Sequence, residues 1–216
     1  NVWASARKQA ELKASKVRSR WCVTHRCDRP AAAGFASLRR RLNSNVRLHL
    51  SSRVYIRPPA LTDQREFVGS ARASHKLHRP WSVAPSSRLQ FRAYLDRLAQ
   101  PGSAAFLVCR RDTDQIVGVV NVTNIVLGLF RSAYLGYYAF AGHEGQGLMR
   151  EGLHAVIRHA FLSLKLHRLE ANIQPGNTKS IALVRACGFA KEGYSPRYLK
   201  IGGRWRDHER WAILAS

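Results

Sequence analysis

Acidic side chains are scarce in this 216-residue chain: 13 Asp and Glu stand against 36 Lys and Arg, a formal net charge of +23. Such a balance points toward anionic partners, either an RNA-rich particle or an anionic cofactor. Cysteine is also scarce, with four at Cys22, Cys27, Cys109 and Cys187. The last two fall in apolar stretches, where a thiol acts as a small hydrophobe. Cys22-x-x-His25-x-Cys27 supplies at most half of a zinc site, and no second ligand pair follows at suitable spacing, so no metal is expected. Unpaired, reduced thiols fit a cytoplasmic protein. No uncharged apolar run reaches the ~18 residues of a membrane-spanning helix. The longest, 116–130, is interrupted by Asn121 and Asn124. No apolar signal core lies near the start, so neither export nor a membrane partner is expected. Repeats and low-complexity tracts are missing as well. What remains, 45% hydrophobic and 23% charged, is the composition of a globular chain.

The charge is unevenly placed. Residues 1–50 hold 12 basic and 2 acidic side chains, a net +10, while residues 51–216 hold 24 and 11, a net +13. The first segment also lacks sustained periodicity beyond 4–17. It reads as a basic, poorly ordered extension ahead of one domain over 51–216, since blocks of like charge are usually solvated. A ribosome- or RNA-binding arm and an Arg-rich transit peptide are the functional alternatives. The only methionine is Met149, so 1–50 is also open to being a truncated extension.

From Arg53 onward the pattern is that of alternating elements. Val54-Tyr55-Ile56 is a short strand stopped by Pro58-Pro59. Thr62-Asp63 opens a helix, with Glu66 placed to complete its cap. A second helix covers 86–98. Two Val-rich strands, 104–110 and 116–125, flank Asp112-Thr113-Asp114 as a hairpin. A strand over 133–140 runs into a glycine-rich loop. Then Leu148, Met149, Leu153, Val156, Ile157, Ala160, Phe161 and Leu164 repeat at helical spacing, with Arg150, Glu151, Arg158 and His159 opposite. A strand at 168–173, a short helix at 177–186 stopped by Gly188, and two strands at 194–201 and 205–214 complete a mixed α/β order.

The most informative segment is Gly142-His143-Glu144-Gly145-Gln146-Gly147. Glycines between a strand and a helix let backbone N–H groups approach an anion, and the helix N-terminus adds partial positive charge. The Lys-Ser/Thr of a nucleotide-hydrolysing loop is missing, and the spacing does not make a dinucleotide fingerprint. A tight structural turn would suffice for two glycines alone. The wider set is more specific: Tyr134-Leu135-Gly136-Tyr137, Glu144 to Glu151, Leu166-His167-Arg168-Leu169-Glu170-Ala171, Asn177-x-x-Ser180-x-x-Leu183, Gly188-Phe189, and Tyr198 with Gly203-x-Trp205-x-Asp207. In order and spacing over 53–214 it resembles the GNAT acetyltransferases, and among them the Rim-type ribosomal-protein alanine N-acetyltransferases.

That resemblance implies a mostly antiparallel mixed sheet, splayed at a cofactor cleft and flanked by helices. It implies acetyl-CoA as donor, with direct transfer to an amine. Backbone amides over His143, Glu144, Gly145, Gln146, Gly147 and Leu148 would bind the pyrophosphate. Asn177 would hold the pantetheine or a reaction-side water, and Ser180 would sit near the thioester sulfur. Two positions depart from the family pattern. Gly142 stands where a Gln or Arg is usual, and Val184 stands where many relatives carry a proton-donating tyrosine, a lack that the Rim-type enzymes share.

Acetyl transfer needs a neutral amine, and a free α-amine with a pKa near ~7.7–8.0 needs only a modest base. Glu170, on the strand leading to Asn177, is the first choice; the competing role is a surface carboxylate paired with Arg168 or Lys179. His208 and Glu209 are the second choices, with Glu209 and Trp81 bordering the acceptor. Three classes stay open: an N-terminal α-amine acetyltransferase with a ribosomal-protein acceptor, a small-molecule amine acetyltransferase, and a non-enzymatic RNA- or ribosome-binding protein.

Overall fold

The computed structural model describes residues 47, 48 and 51–216. Cys22, His25, Cys27 and nearly all of the basic segment lie outside them. Seven strands form one sheet: β1 (Val54–Arg57), β2 (Ala104–Arg110), β3 (Ile116–Val126), β4 (Ser132–Ala139), β5 (Arg168–Ile173), β6 (Ala190–Ile201) and β7 (Arg204–Leu214). Their order across the sheet is β1-β2-β3-β4-β5-β7-β6, antiparallel at every step except β4–β5. Helices α1 (Gln64–Ala73), α2 (His75–His78) and α3 (Arg88–Leu98) precede β2. Helix α4 (Leu148–Leu162) crosses from β4 to β5, and α5 (Thr178–Ala186) follows β5. This is the mixed α/β order read from the elements, arranged as the mostly antiparallel sheet flanked by helices that the resemblance implied.

Strand alternation sends each side chain to one of two cores. Val54, Ile56, Phe106, Val108, Leu135, Leu169 and Ala171 pack with Leu153 and Val156 of α4 and Val184 of α5. Tyr55, Leu107, Cys109 and Val119 face Phe67 of α1 and Phe91 and Tyr94 of α3. Phe67 anchors that second core, with ring centroids 4.6 Å from Phe91 and 5.4 Å from Phe140.

Local signals explain most boundaries. Ser87 caps α3 by accepting from the Gln90 amide at 3.2 Å. Asp63 accepts from the Ala60 amide at 2.7 Å and from both ends of the Arg57 guanidinium at 2.8 and 2.6 Å, locking the end of β1 to a 3₁₀ turn at Leu61–Asp63. Glu66 does not complete that cap: its carboxylate accepts from the Ile116 amide at 2.7 Å, tying α1 to the start of β3. Likewise His159 is not on an outer polar face of α4. It is buried, with its ring 5.0 Å from Phe106. Strand β6 begins at Ala190, four residues before its expected start.

The boundary at residue 50 also has contacts on its far side. Leu48 bridges Ile56, and Arg47 pairs with Asp114 at 2.9 Å and lies over the Tyr55 ring.

Helix α4 lies close to the sheet because Gly152 faces it. A Cβ at Gly152 would come within 2.5 Å of both methyl groups of Val108, which is itself wholly buried in β2. Val108 has no long side chain to swing aside, so overpacking of about 1–3 kcal/mol is expected for Gly152→Ala despite the gain in helix propensity. A lower urea midpoint with unchanged slope checks it; an equal or higher midpoint refutes the close approach.

Candidate functional site

Strands β4 and β5 pair at only three positions, Ser132–Arg168, Ala133–Leu169 and Tyr134–Glu170. Beyond Tyr134 and Glu170 the two strands part. The gap opens into a cavity of about 550 Å³, a size suited to a small-molecule ligand. Its walls are the separated ends, Leu135 to Ala139 on β4 and Ala171 to Ile173 on β5, with the glycine loop and α5 on one side. On the other side it meets His78 at the end of α2, Trp81 and Val83 from the connection between α2 and α3, Asn121 of β3 and His208 of β7. Alternation therefore gives the cavity two halves. Leu135, Tyr137, Ala171 and Ile173 face the α4–α5 layer, whereas Tyr138 and Asn172 face the α1–α3 layer.

The glycine loop is built for a left-handed backbone. Gly142, Gly145 and Gly147 have φ of 90°, 72° and 76°, and Gly147 is the N-cap of α4. A Cβ at Gly145 would meet no atom of the described residues within 4 Å, so the turn conformation and open space, not internal packing, select glycine there. An anion already sits in the loop: the Glu144 carboxylate accepts from the Gly142 amide at 2.6 Å. Backbone hydrogen bonds from its own amide and from Gly142 hold its pKa below the usual carboxylate value. The Gln146 side chain donates to the Gly142 carbonyl at 2.9 Å and does not line the cavity; Leu148 is buried in the core. Below the loop, Glu151 accepts from Ser51 at 2.7 Å and Arg53 at 2.6 Å. Burial opposes its ionisation, but these bonds keep its pKa lowered.

Helix α5 brings Asn177 and Ser180 to the same cavity. The Asn177 side-chain oxygen accepts from the Ser180 amide at 3.2 Å, so it caps α5 and leaves its NH₂ for a ligand. The Ser180 hydroxyl is 2.6 Å from the hydroxyl of Tyr137, which reaches across from β4. Burial pushes the Tyr137 pKa up, opposed by that bond, so the phenol stays protonated. Val184, where a tyrosine would supply a proton in many relatives, is fully buried in the core. A hydroxyl is thus delivered from the facing strand instead. Its signal in the sequence was the shared parity of Leu135 and Tyr137 on β4.

The two expected carboxylates are placed elsewhere. Glu170 stands at the last paired position of β4–β5, its carboxylate accepts from Arg168 at 2.8 Å, and it does not line the cavity. Arg168 also clasps Glu192. Glu209 is opposite Ile173, on the α5 side of the sheet, where Trp211 donates to it at 3.2 Å and Lys191 pairs with it. Neither is brought to the cavity with Asn177 and Ser180. Trp81 is: it lines the wall, and a Cβ on Gly176 would come within 3.2 Å of its ring.

Sequence reasoning passed over Tyr138, Asn172 and His78. The Tyr138 hydroxyl, the Asn172 side-chain oxygen and His143 Nδ1 are buried atoms of cavity-lining residues with no hydrogen-bond partner among the described residues. His78 Nε2 is 2.8 Å from the Ala139 carbonyl, and His208 Nδ1 is 2.9 Å from the Arg206 carbonyl. Burial lowers both histidine pKa values. Among the described residues no group of three or more His, Cys, Asp or Glu side chains is placed to hold a metal ion. No described helix is long and apolar enough to cross a membrane.

Comparison with known proteins gives matches over this same region. The family model for the acetyltransferase (GNAT) domain matches residues 53–190. The Bacillus subtilis protein named "Probable N-acetyltransferase YjcK" is 31% identical over 169 residues, 74% of this chain and 93% of its own. The [ribosomal protein uS5]-alanine N-acetyltransferase of Escherichia coli is 45% identical over 102 residues, 47% of this chain and 53% of that enzyme, so the match spans about half of it. A spermidine N(1)-acetyltransferase of Vibrio cholerae is 30% identical over 101 residues, 47% of this chain and 58% of its own. Mycobacterium smegmatis RimJ in complex with CoA-disulfide superposes with a TM-score of 0.70 at 28% identity, covering 75% of this chain and 82% of that one.

The two buried histidines of the cavity wall, His78 and His208, set a pH dependence. Because folding lowers their pKa below the ordinary ~6.5, the unfolded chain binds more protons than the folded one just below that value. Stability is therefore expected to fall between about pH 6.5 and 5, before carboxylates with ordinary values near ~4.3 contribute. Melting temperatures in 0.5 M salt should drop over this window, less steeply in His208→Gln. A flat or rising profile refutes the assignment of neutral, buried imidazoles.

Proposed function

The chain belongs to the GNAT acetyltransferase family and is an N-acetyltransferase by that membership, and we propose that its acceptor is the N-terminal α-amine of a protein, specifically a ribosomal protein. The observation that carries the reading is the parting of β4 and β5 directly opposite the glycine loop, with a two-sided cavity in the gap.

The cavity residues fit acetyl-CoA. The loop already presents an amide to the Glu144 carboxylate, and the concave side of Gly145 is free of protein atoms. Backbone N–H groups over His143–Leu148, at the positive end of the α4 dipole, would take the pyrophosphate, which displaces Glu144 from the Gly142 amide. The Asn177 NH₂ would hold the pantetheine arm, and the Ser180 hydroxyl would face its sulfur end. Bound acetyl-CoA supplies an activated thioester open to direct attack by an amine. Tyr137, kept protonated by burial, hydrogen-bonds Ser180 and can replenish a proton that Ser180 gives up.

The acceptor half is nearly uncharged. Glu144, at the loop, is the sole carboxylate among the cavity-lining residues, whereas Asn121, Asn172, Gln174 and Ser82 offer neutral polar groups. A polyamine carries several ammonium groups, and burying them without carboxylates is costly. A peptide end presents one amine followed by amides, which suits this lining and the aromatic face of Trp81. The sequence match to the uS5-alanine enzyme supports a ribosomal protein as the acceptor. The net charge of +23 supports attraction to an RNA-rich particle, weakened by salt.

Incubation with labelled acetyl-CoA and a panel of ribosomal proteins, N-terminal peptides and polyamines, read by mass spectrometry, tests this. Label on a protein α-amine is expected; label on polyamines alone overturns the acceptor reading. Gly145→Val should abolish saturable acetyl-CoA binding, because a branched side chain fills the anion approach and the left-handed turn adds about 1–2 kcal/mol of strain. Calorimetry showing ordinary binding by a folded variant would refute the loop assignment.

A further inference from the structure

We infer that His208, not a carboxylate, is the base that takes the proton from the acceptor amine, with Asn172 beside it to position the nitrogen. This rests on the amine-transfer reading above. Asn172 is directly opposite Arg210, so His208, two residues along β7, is the diagonal neighbour of Asn172 on the same face of the sheet. That face is the acceptor side of the parted strands, and both residues line the cavity.

The chemistry of the imidazole follows from its anchoring. Nδ1 lies 2.9 Å from the Arg206 carbonyl, an acceptor, so Nδ1 carries the proton. Nε2 then holds a lone pair and has no hydrogen-bond partner among the described residues. The surroundings keep the ring neutral: it is 3% exposed, and burial is the chief cause of its lowered pKa. The charged and titratable groups near it do not reverse this. The Asp207 carboxylate is occupied by the Tyr194 hydroxyl and the Arg197 amide, Arg206 meets His208 through its carbonyl, and the Tyr198 ring lies 6.1 Å away, edge-on. On the β5 side the neighbour is the neutral amide of Asn172, whose oxygen is buried and unpartnered. An amine N–H entering the cavity satisfies that oxygen and brings the nitrogen to Nε2.

The proton balance is simple. As the nitrogen–carbon bond forms and the carbon–sulfur bond breaks, nitrogen sheds one proton and sulfur gains one. His208 Nε2 accepts the first, and the Ser180–Tyr137 pair or water delivers the second; solvent exchange restores both. Nitrogen becomes far more acidic than a free ammonium once it bonds to the carbonyl carbon, so a weakly basic imidazole is adequate. Glu170 is less suited, since it stands before the strands part and accepts from Arg168. His78, also on the wall, is fixed to Ala139 at the far end of β4, and His143 belongs to the glycine loop itself, on the side away from β7.

Two measurements decide the matter. In ¹⁵N-histidine spectra of the protein without ligands at pH 7, His208 is expected as the neutral Nδ1–H tautomer; a protonated ring or the Nε2–H tautomer overturns the proposal. In turnover with the best acceptor of the panel, His208→Gln should lose about 10²–10⁴-fold in kcat while acetyl-CoA affinity stays within about twofold. Added imidazole should partly restore His208→Ala, an effect that a purely structural role would not produce. Full activity of His208→Gln, or the same loss transferred to Glu170→Gln or His78→Gln, overturns it. The spectra need no turnover. A wild-type protein that binds acetyl-CoA but modifies nothing therefore counts against the proposed function, while the tautomer still tests His208.

Discussion

Everything in the site depends on one interrupted pairing. A parallel pair of strands is held by evenly spaced backbone hydrogen bonds, and leaving them unmade in a protein interior is costly. β4 and β5 form theirs at three positions and then separate, so the freed edges must find other partners. The separation is sustained from both ends. α4 is seated tightly on β2 through Gly152, which fixes where the glycine loop lies, and β5 is held on its other side by six pairs with β7. With both strands committed elsewhere, the wedge between them cannot close, and a ligand that offers its own amides and carbonyls can occupy it.

The same wedge separates two environments on the two faces of one sheet. The loop face collects backbone amides and hydroxyls, suited to an anion and a sulfur leaving group. The opposite face collects neutral imidazole and amide groups, which suit an amine about to lose its charge. A strand of period two delivers both sets at once: Tyr137 and Tyr138 are consecutive, yet one bonds Ser180 and the other contacts His78. On the proposed reading, donor and acceptor would approach from opposite sides of a single layer, joined through the gap.

Local patterns in the sequence went far toward the fold. The Val-rich hairpin, the apolar stripe of α4 and the short helix ahead of Gly188 all depend on neighbours within a few residues, and each lies where its pattern put it. What escaped were contacts across long separations. Glu66 reads locally as a cap, but Ile116, fifty residues on, has an unpaired strand-end amide that needs it more. His159 falls on the polar side of the helical count and is buried because β2 brings Phe106 against it. Glu170 and Arg168, two apart on one strand, share a face, so their pairing was legible as the competing role for that carboxylate. The placement of His208 toward the cavity and Glu209 away from it depends on the β5–β7 register, which no local pattern supplies.

The clasp on Glu151 carries a consequence for how the chain reaches this structure. Its partners Ser51 and Arg53 lie 100 and 98 residues earlier, so the first turn of α4 is secured only by closing most of the domain into a loop. Closure entropy grows slowly with length but must be met before such a contact contributes anything. Contacts of this separation raise the mean contact order and slow folding. Helix α4 has the local pattern of a helix, yet the carboxylate in its first turn finds its partners only across this long separation. The anchorage of the glycine loop is therefore tied to the far end of the chain, and weakening the clasp on Glu151 would loosen the loop and the β1 edge together.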